Sequence, residues 1–353
     1  MKNQGDRMTA SSSRQPLRVG ILYNEPVLAV GHKEAESEHE IVFTVGEVEK
    51  YLSEGGFEVS KFGVREPGVL LQKLADARPD VVFNFFEGLA THYETESTVA
   101  GLLEWLGIPF TGSPSTTLAL ARNKPRTKAL LRGLGLPVTD CLVINDARVP
   151  ACPFDWPVIV KPAGQDASIG VDHGSVVTSQ EALSRRVALM LEQFGAPVLV
   201  EPYLEGREFS VVVVECPEVS VMPASEIRFD ERGPGRWPIF TYDAKWLVES
   251  ADFNSTPVDY PANIPPELQG RLADLARKSC AAVGIRDYGR VDFRCDASGN
   301  PHVLEVNPNP DFSPLACLAS AIEDIRFMTH REFAIRLVRQ AHARGGFAPR
   351  QSR

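Results

Sequence analysis

Apolar residues recur along this chain at two spacings, a period of two that marks strands and one near 3.6 that marks helices. Leu17 to Leu22 is a short apolar run read as a strand, and a helical segment over about Val42 to Glu54 is closed by Gly55-Gly56. Strands are expected at Phe57 to Phe62, Pro79 to Asn84 and Ile108 to Thr111, with a helix over Ser97 to Leu106. Strands alternating with helices indicate a parallel sheet.

After Gly112 the pattern changes. Residues 115–135 read as helical, interrupted at Asn123-Lys124-Pro125, where Pro125 suits a first helical turn. Pro157 to Pro162 is a strand, 163–170 a flexible loop, 180–193 a helix and Val198 to Glu201 a further strand. Glu208 to Glu215 and Val219 to Phe229 alternate as antiparallel strands. The Gly- and Pro-rich stretches 230–238 and 254–266 are expected to be loops. Helices are expected over Glu267 to Val283 and Thr329 to Ala343. The fold class is therefore α/β (α+β). A flexible leader (1–15) precedes a Rossmann-like N-terminal subdomain (16–112), a central subdomain (113–200) and a C-terminal α+β subdomain (201–345).

Two alternating runs near the C-terminus carry the clearest chemistry. Gly289 to Arg294 and Val303 to Pro308 each have one apolar and one polar face, and Asp296-Ala297-Ser298-Gly299-Asn300 between them is turn chemistry. An antiparallel hairpin sets Asp292 opposite Glu305 and Arg290 opposite Asn307. Facing carboxylates lie roughly 5 Å apart and repel unless a cation sits between them. Oxygen donors without His or Cys suit Mg²⁺, with Mn²⁺ as an alternative, held beside phosphates. A surface hairpin with solvated charges has the same pattern.

Length and composition narrow the rest. At 353 residues the chain exceeds what one core usually organises, so two or three subdomains are expected. No stretch reaches the ~18 to 20 apolar residues of a transmembrane helix, and the start lacks a signal-peptide core. A net charge of −9 without a basic stripe argues against nucleic acid as the main partner, yet leaves room for a locally positive nucleotide site. The six cysteines are dispersed and form no zinc spacing, which suits a reducing cytoplasm.

Three further segments could take part. Lys161 ends an apolar strand before the small-residue loop 162–170, where backbone N–H groups could wrap phosphates; a solvated lysine before a plain turn fits equally. Glu201 and Glu208 lie at the end of one strand and the start of the next, as ribose or adenine acceptors or as a solvated turn. Lys245 sits in the aromatic run Phe240 to Trp246, which could close over a site or pack in a core.

Taken together, these segments resemble the ATP-grasp superfamily and, within it, the D-alanine–D-alanine ligases, from about Leu17 to Ala343. Gly101 to Ser113 matches the end of that family's N-terminal domain. The resemblance implies that Glu38 engages a substrate ammonium and that Lys124, Lys161, Ser168, Glu201, Glu208 and Lys245 bind ATP. It also implies that Arg290 stabilises an oxyanion and that Asp292, Glu305 and Asn307 hold Mg²⁺. A substrate carboxylate would take the γ-phosphate to give an acyl phosphate, and an amine would then displace phosphate to form a peptide-like amide. Amino-acid or peptide substrates, a cytoplasmic location and a homodimer follow by the same resemblance.

The departures fall on the substrate side. Phe86-Glu87-Gly88 replaces the family's His-Gly after the third strand, Ala167 stands at the loop serine, with Ser168 next to it, and Trp246 at the tyrosine after the lysine. Asp311 stands at the glycine of the oxyanion loop and Ala316 at the serine that holds the second substrate's carboxylate. Asp311 would repel an acceptor carboxylate and attract an amine. Alternatives are an authentic D-alanine–D-alanine ligase, a non-catalytic ATP-binding module, which would not need Arg290, and a biotin-dependent carboxylase subunit.

Overall fold

The computed structural model describes residues 15–27, 35–89, 92–230, 233, 235–314, 316–324 and 326–346, without the side chains of 35–38, Pro67 and Asp324. The chain opens with β1 (Arg18–Asn24), α1 (Ala35–Glu54), β2 (Glu58–Val64), α2 (Pro67–Ala77), β3 (Val81–Phe85) and α3 (Thr95–Leu106). The strands pair in parallel in the order β2-β1-β3, as the alternation of elements requires. Helix α2 is an addition to the expected elements, and its Leu70 and Leu74 bury one turn apart. Ile108 to Thr111 is no strand. Phe110 makes one isolated parallel bridge to Val82, because Pro109 offers its carbonyl but no N–H to extend a ladder.

Next come α4 (Ser115–Arg122), α5 (Lys124–Gly133), β4 (Leu142–Ile144), β5 (Val158–Pro162), β6 (Val176–Val177), α6 (Gln180–Phe194) and β7 (Val198–Pro202). Asn123 ends α4 and caps α5 by accepting the Arg126 N–H, so the interruption read in the sequence is a helix restart. The strands form an antiparallel sheet, β4-β7-β5-β6, whose apolar face is covered by Leu183, Val187 and Met190 of α6. Strand β7 runs through residue 200, where the expected boundary fell.

The remainder is β8 (Glu208–Glu215), β9 (Val219–Val221), β10 (Ser225–Ile227), α7 (Tyr242–Trp246), α8 (Ala251–Asn254), β11 (Val258–Asp259), α9 (Pro266–Val283), β12 (Tyr288–Cys295), β13 (Pro301–Asn307), α10 (Cys317–Asp324) and α11 (His330–Arg344). The strand expected over Val219 to Phe229 is split in two, with Pro223, which cannot donate to a ladder, in the break. The aromatic segment forms the short helix α7, and 254–266 contains β11 as well as loop.

Strand β8 explains why the molecule holds together as layers. Phe209, Val211 and Val213 enter a core with α9, while Val212 and Val214 enter another shared with β1, β3 and α11. A strand buried on both faces loses its polar alternation, as the run of four valines at 211–214 shows. Phe312 is buried in the second of these cores, its ring 5.3 Å from Phe83, 5.6 Å from Tyr288 and 5.8 Å from Phe333. It pins the loop after β13 against the N-terminal sheet.

Candidate active site

A cleft of about 620 Å³ opens where the three sheets meet, and its walls carry Lys124, Lys161, Ser168, Glu201, Glu208, Lys245, Arg290, Asp292, Glu305 and Asn307. Residues drawn from 124 to 307 thus reach one space. The β12–β13 hairpin supplies four of them, with Asp292 opposite Glu305 and Arg290 opposite Asn307. That register depends on a bulge. Nearer the turn Phe293 pairs with Val303, so Leu304 is the extra residue that brings Glu305 level with Asp292. Arg290 grips Asp292 with two bonds, Nε to Oδ1 at 2.8 Å and a terminal nitrogen to Oδ2 at 2.9 Å. Ser210 on β8 donates to Oδ1 at 2.7 Å. Burial opposes ionisation of Asp292, but Arg290 and Ser210 hold its carboxyl below the usual range.

The lysines are paired differently. Lys124 donates to Asp166 at 2.5 Å and to the Gln165 carbonyl at 2.7 Å, and lies 3.8 Å from Glu305. Burial alone would lower its pKa, but Asp166 and Glu305 prevail and raise it. Asp166, buried yet flanked by Lys124 and Arg122, is pulled down to about 2. Glu305 is pushed up, chiefly by burial and then by Asp166 and Asp292, with Lys124 only partly compensating. Glu201 is 1% exposed and sits between Lys161 at 3.0 Å and Lys128 at 3.1 Å. One carboxylate thus serves two lysines, of which Lys161 lines the cleft and Lys128, 2% exposed, lies behind it.

The loop 163–171 and the segment carrying α7 face each other over the cleft. Ala167 and Ser168 both adopt left-handed φ, +56 and +61, unusual for residues with a Cβ. The Trp246 indole donates to the Ala167 carbonyl at 3.1 Å, and the Tyr242 N–H to the Val171 carbonyl at 3.1 Å. Lys245 Nζ rests 4.8 Å from the Trp246 ring centroid. Burial, then the nearby Arg290 charge, lowers the Lys245 pKa.

A family model described as D-ala D-ala ligase C-terminus matches residues 130–327. A D-alanine–D-alanine ligase of Stutzerimonas stutzeri is 31% identical over 90% of this chain and 94% of its own length. An uncharacterized protein, y4sG of Sinorhizobium fredii, is 33% identical over 66% of each chain. The chain belongs to the D-alanine–D-alanine ligase family. A D-alanine–D-alanine ligase structure from Bacillus anthracis, complexed with ATP, superposes with a TM-score of 0.71 at 22% identity, covering 93% of this chain and 98% of that one, and shows the same ATP-grasp fold. The protein is an ATP-dependent ligase that forms carbon–nitrogen bonds.

In this member of the D-alanine–D-alanine ligase family the part of the cleft lined by Glu87, Glu96 and Asp311 is acidic. Glu87 opens onto it beside Glu96, Asp311 and Arg122; its side chain is exposed to the open cleft, yet desolvation by the surrounding walls, followed by the Glu96 and Asp311 charges, pushes it up to about 8. Gly88 must be glycine: its φ is +93, and a Cβ would lie 2.6 Å from the Tyr93 carbonyl oxygen. Asp311 accepts from the Ser313 N–H at 2.8 Å and hydroxyl at 3.1 Å. Glu40 of α1 meets Ser313, and burial then Asp311 raise its pKa. The Glu38 side chain lies outside the described residues.

The motif reading missed Asp166, Lys128, Arg122, Glu96, Glu40 and Arg294. Lys128 was signalled by its i+4 spacing from Lys124, on the helix that Asn123 caps. Arg294 continues the charged face of β12, and it engages Glu208 at 2.5 Å and the carbonyls of Leu204 and Pro238. Asp166 and Glu96 gave no signal, since only their distant partners identify them.

Proposed function

We propose that the protein is an ADP-forming carboxylate–amine ligase of amino-acid or short-peptide substrates whose acceptor need not be D-alanine. The observation that carries this reading is the polarity of the cleft, cationic where phosphates would lie and acidic where an acceptor would approach. Lys161, whose counterion Glu201 is shared with the buried Lys128, favours a polyanion, and Lys124 offers a second ammonium to the cleft once Asp166 releases it. Ser168 lies in the turn facing those lysines, and Glu208, steadied by Arg294, retains acceptor lone pairs for ribose hydroxyls.

The hairpin fits a hard divalent cation. Among the described residues no three His, Cys, Asp or Glu side chains converge as a metal cage. Asp292 and Glu305 with the Asn307 amide are instead a partial oxygen set, which suits Mg²⁺ that takes its remaining ligands from water and phosphate. The elevated Glu305 pKa marks negative charge that the protein's own cations leave under-compensated. Such a cation, when bound, would neutralise charge on the triphosphate. Lys245 would contact the transferring phosphoryl group from above. Arg290, always protonated, would stabilise the oxyanion of the tetrahedral intermediate as the amine attacks the acyl phosphate. Glu38 would meet the donor's ammonium, and Glu40 lies two residues further along the same helix.

Glu87 and Asp311 replace neutral positions of the family pattern; the charge of Asp311 disfavours an acceptor carboxylate at that end and favours an ammonium, and Glu87, protonated at neutral pH, adds its own charge only as the pH rises past about 8. A second reading, an authentic D-alanine–D-alanine ligase, is favoured by the 31% identity that extends over 94% of the Stutzerimonas enzyme. Subdomains at 16–112, 113–200 and 201–345, a cytoplasmic location and a homodimer belong to the same proposal. The test is phosphate release from ATP and Mg²⁺ across D- and L-amino acids, singly and in pairs, with mass spectrometry of products. Release that requires a pair other than D-alanine with itself, with a matching dipeptide, supports the reading. Efficient D-alanyl-D-alanine formation alone overturns it in favour of the second.

A further inference from the structure

Lys245 reaches the cleft from a segment that has no sheet of its own, so something else must fix its position. The helix bearing it, α7, begins at Thr241, which is 2% exposed and caps the helix by accepting the Ala244 N–H at 3.1 Å. The same hydroxyl donates to Asp252 Oδ2 at 2.9 Å. Asp252 lies on α8 and is 7% exposed, yet two further donors meet on it. Arg236 approaches Oδ1 at 3.0 Å, and His173 Nε2 lies 2.9 Å from Oδ2 and 3.1 Å from Oδ1.

His173 belongs to the opposite wall. It opens the one-turn 3₁₀ helix His173–Ser175 that follows the small-residue loop, with Asp172 as its cap. Arg186 of α6, 7% exposed, fastens this turn by donating to Asp172, Ser175 and the Gly170 carbonyl. His173 Nδ1 accepts the Trp237 N–H at 3.2 Å, which leaves the ring proton on Nε2 to be donated to Asp252. One imidazole therefore bonds the lysine-bearing segment at both its nitrogens, and its own base is tied to α6.

We propose that His173 and Asp252 are positioning residues of this ligase, the latch that holds Lys245 over the cleft and keeps water from the acyl phosphate. The inference rests on the reading of Lys245 as a phosphate-contacting residue. With the latch formed, the acceptor amine attacks the acyl carbon and gives up a proton to solvent, the carbon–oxygen bond to phosphate breaks, and phosphate leaves with the electron pair. With it broken, a water oxygen attacks the same carbon and gives up its proton to solvent. The donor carboxylate and phosphate are then released without amide. Each hydrogen bond to a charged group shifts such a closure equilibrium by on the order of tenfold.

The experiment compares wild type, His173→Ala, His173→Gln, Asp252→Asn and Trp246→Phe as full-length proteins. Hydrogen exchange of the α7 amides is followed alongside that of β5 and β12. Phosphate and amide are both quantified on the amino-acid pair with the highest wild-type turnover in the screen above. His173→Ala and Asp252→Asn are expected to exchange α7 about tenfold faster with the strands unchanged. They should also release several phosphates per amide, where wild type releases about one. His173→Gln, which keeps an N–H donor toward Asp252, should restore both readouts most of the way. Trp246→Phe keeps a ring beneath Lys245 but loses the bond to Ala167, and should show a smaller effect of the same kind. Unchanged α7 exchange, or a phosphate-to-amide ratio that stays at unity, overturns the latch. Lys245→Ala is assayed in parallel: full activity there removes the reading of Lys245 itself, whereas its loss beside coupled His173→Ala removes the latch alone.

Discussion

Glu201→Gln tests the charge logic of the cleft most directly. The carboxylate is 1% exposed and its pair of lysines brings it from an ordinary 4.5 down to about 2, against the opposing effect of burial. At about 1.4 kcal/mol per unit, that depression corresponds to roughly 3 kcal/mol of stability, within the ~3 to 5 kcal/mol expected when a buried ion pair loses one partner. Lys128 points the other way, its pKa lowered because burial outweighs its share of Glu201. The carboxylate is the better gauge, since it serves both lysines while each lysine has only part of it. A depressed folded-state pKa contributes stability that is present above about 4.5 and lost as pH falls toward about 2. Urea unfolding followed by far-ultraviolet circular dichroism should therefore show Glu201→Gln weaker by about 3 kcal/mol at pH 7, with a shallower loss of stability in that acid window. Adding Lys128→Met, which removes one unpaired buried charge, should recover part of the deficit. A loss under about 1 kcal/mol with an unchanged acid limb would refute the argument that Glu201 is the counterion of both lysines.

Other expectations follow from the same cleft. Arg290→Ala should leave nucleotide binding intact by calorimetry and cut product formation by about 10² to 10³, the usual cost of one oxyanion donor; an unchanged rate would sink that role. Glu305→Gln should weaken Mg²⁺ dependence and abolish turnover while circular dichroism stays native, and normal activity would remove it from the metal site. Glu87, held up at about 8 from an ordinary 4.5, keeps its proton at neutral pH, and the stability linked to its neutral form falls as pH rises from about 4.5 and is gone once pH has passed about 8. Glu87→Gln should flatten this loss. It should also abolish any tightening of KM for a cationic acceptor as the pH is raised past about 8, and an identical pH profile for the variant would refute it.

How much of this was legible beforehand varies by element. The parallel N-terminal sheet, the helix restart at Asn123 and the polar face of the hairpin follow from periodicity and capping, which are local properties. The pairing of Asp292 with Glu305 was read correctly, yet it stands because the chain bulges at Leu304, a choice made by packing of β12 against β8 as well as by the turn. Strand Val219 to Phe229 and the segment Ile108 to Thr111 failed where a proline removed a ladder donor. By itself the sequence determined which residues face outward from each element, and hence that lysines, carboxylates and an arginine of the right kinds exist. Tertiary structure alone decided who meets whom: Asp166 on Lys124 across 42 positions, Arg294 on Glu208 across 86, His173 on Asp252 across 79. Spacing along a chain fixes a side chain's direction, but the charge state of a buried group depends on the partner that another element brings to it.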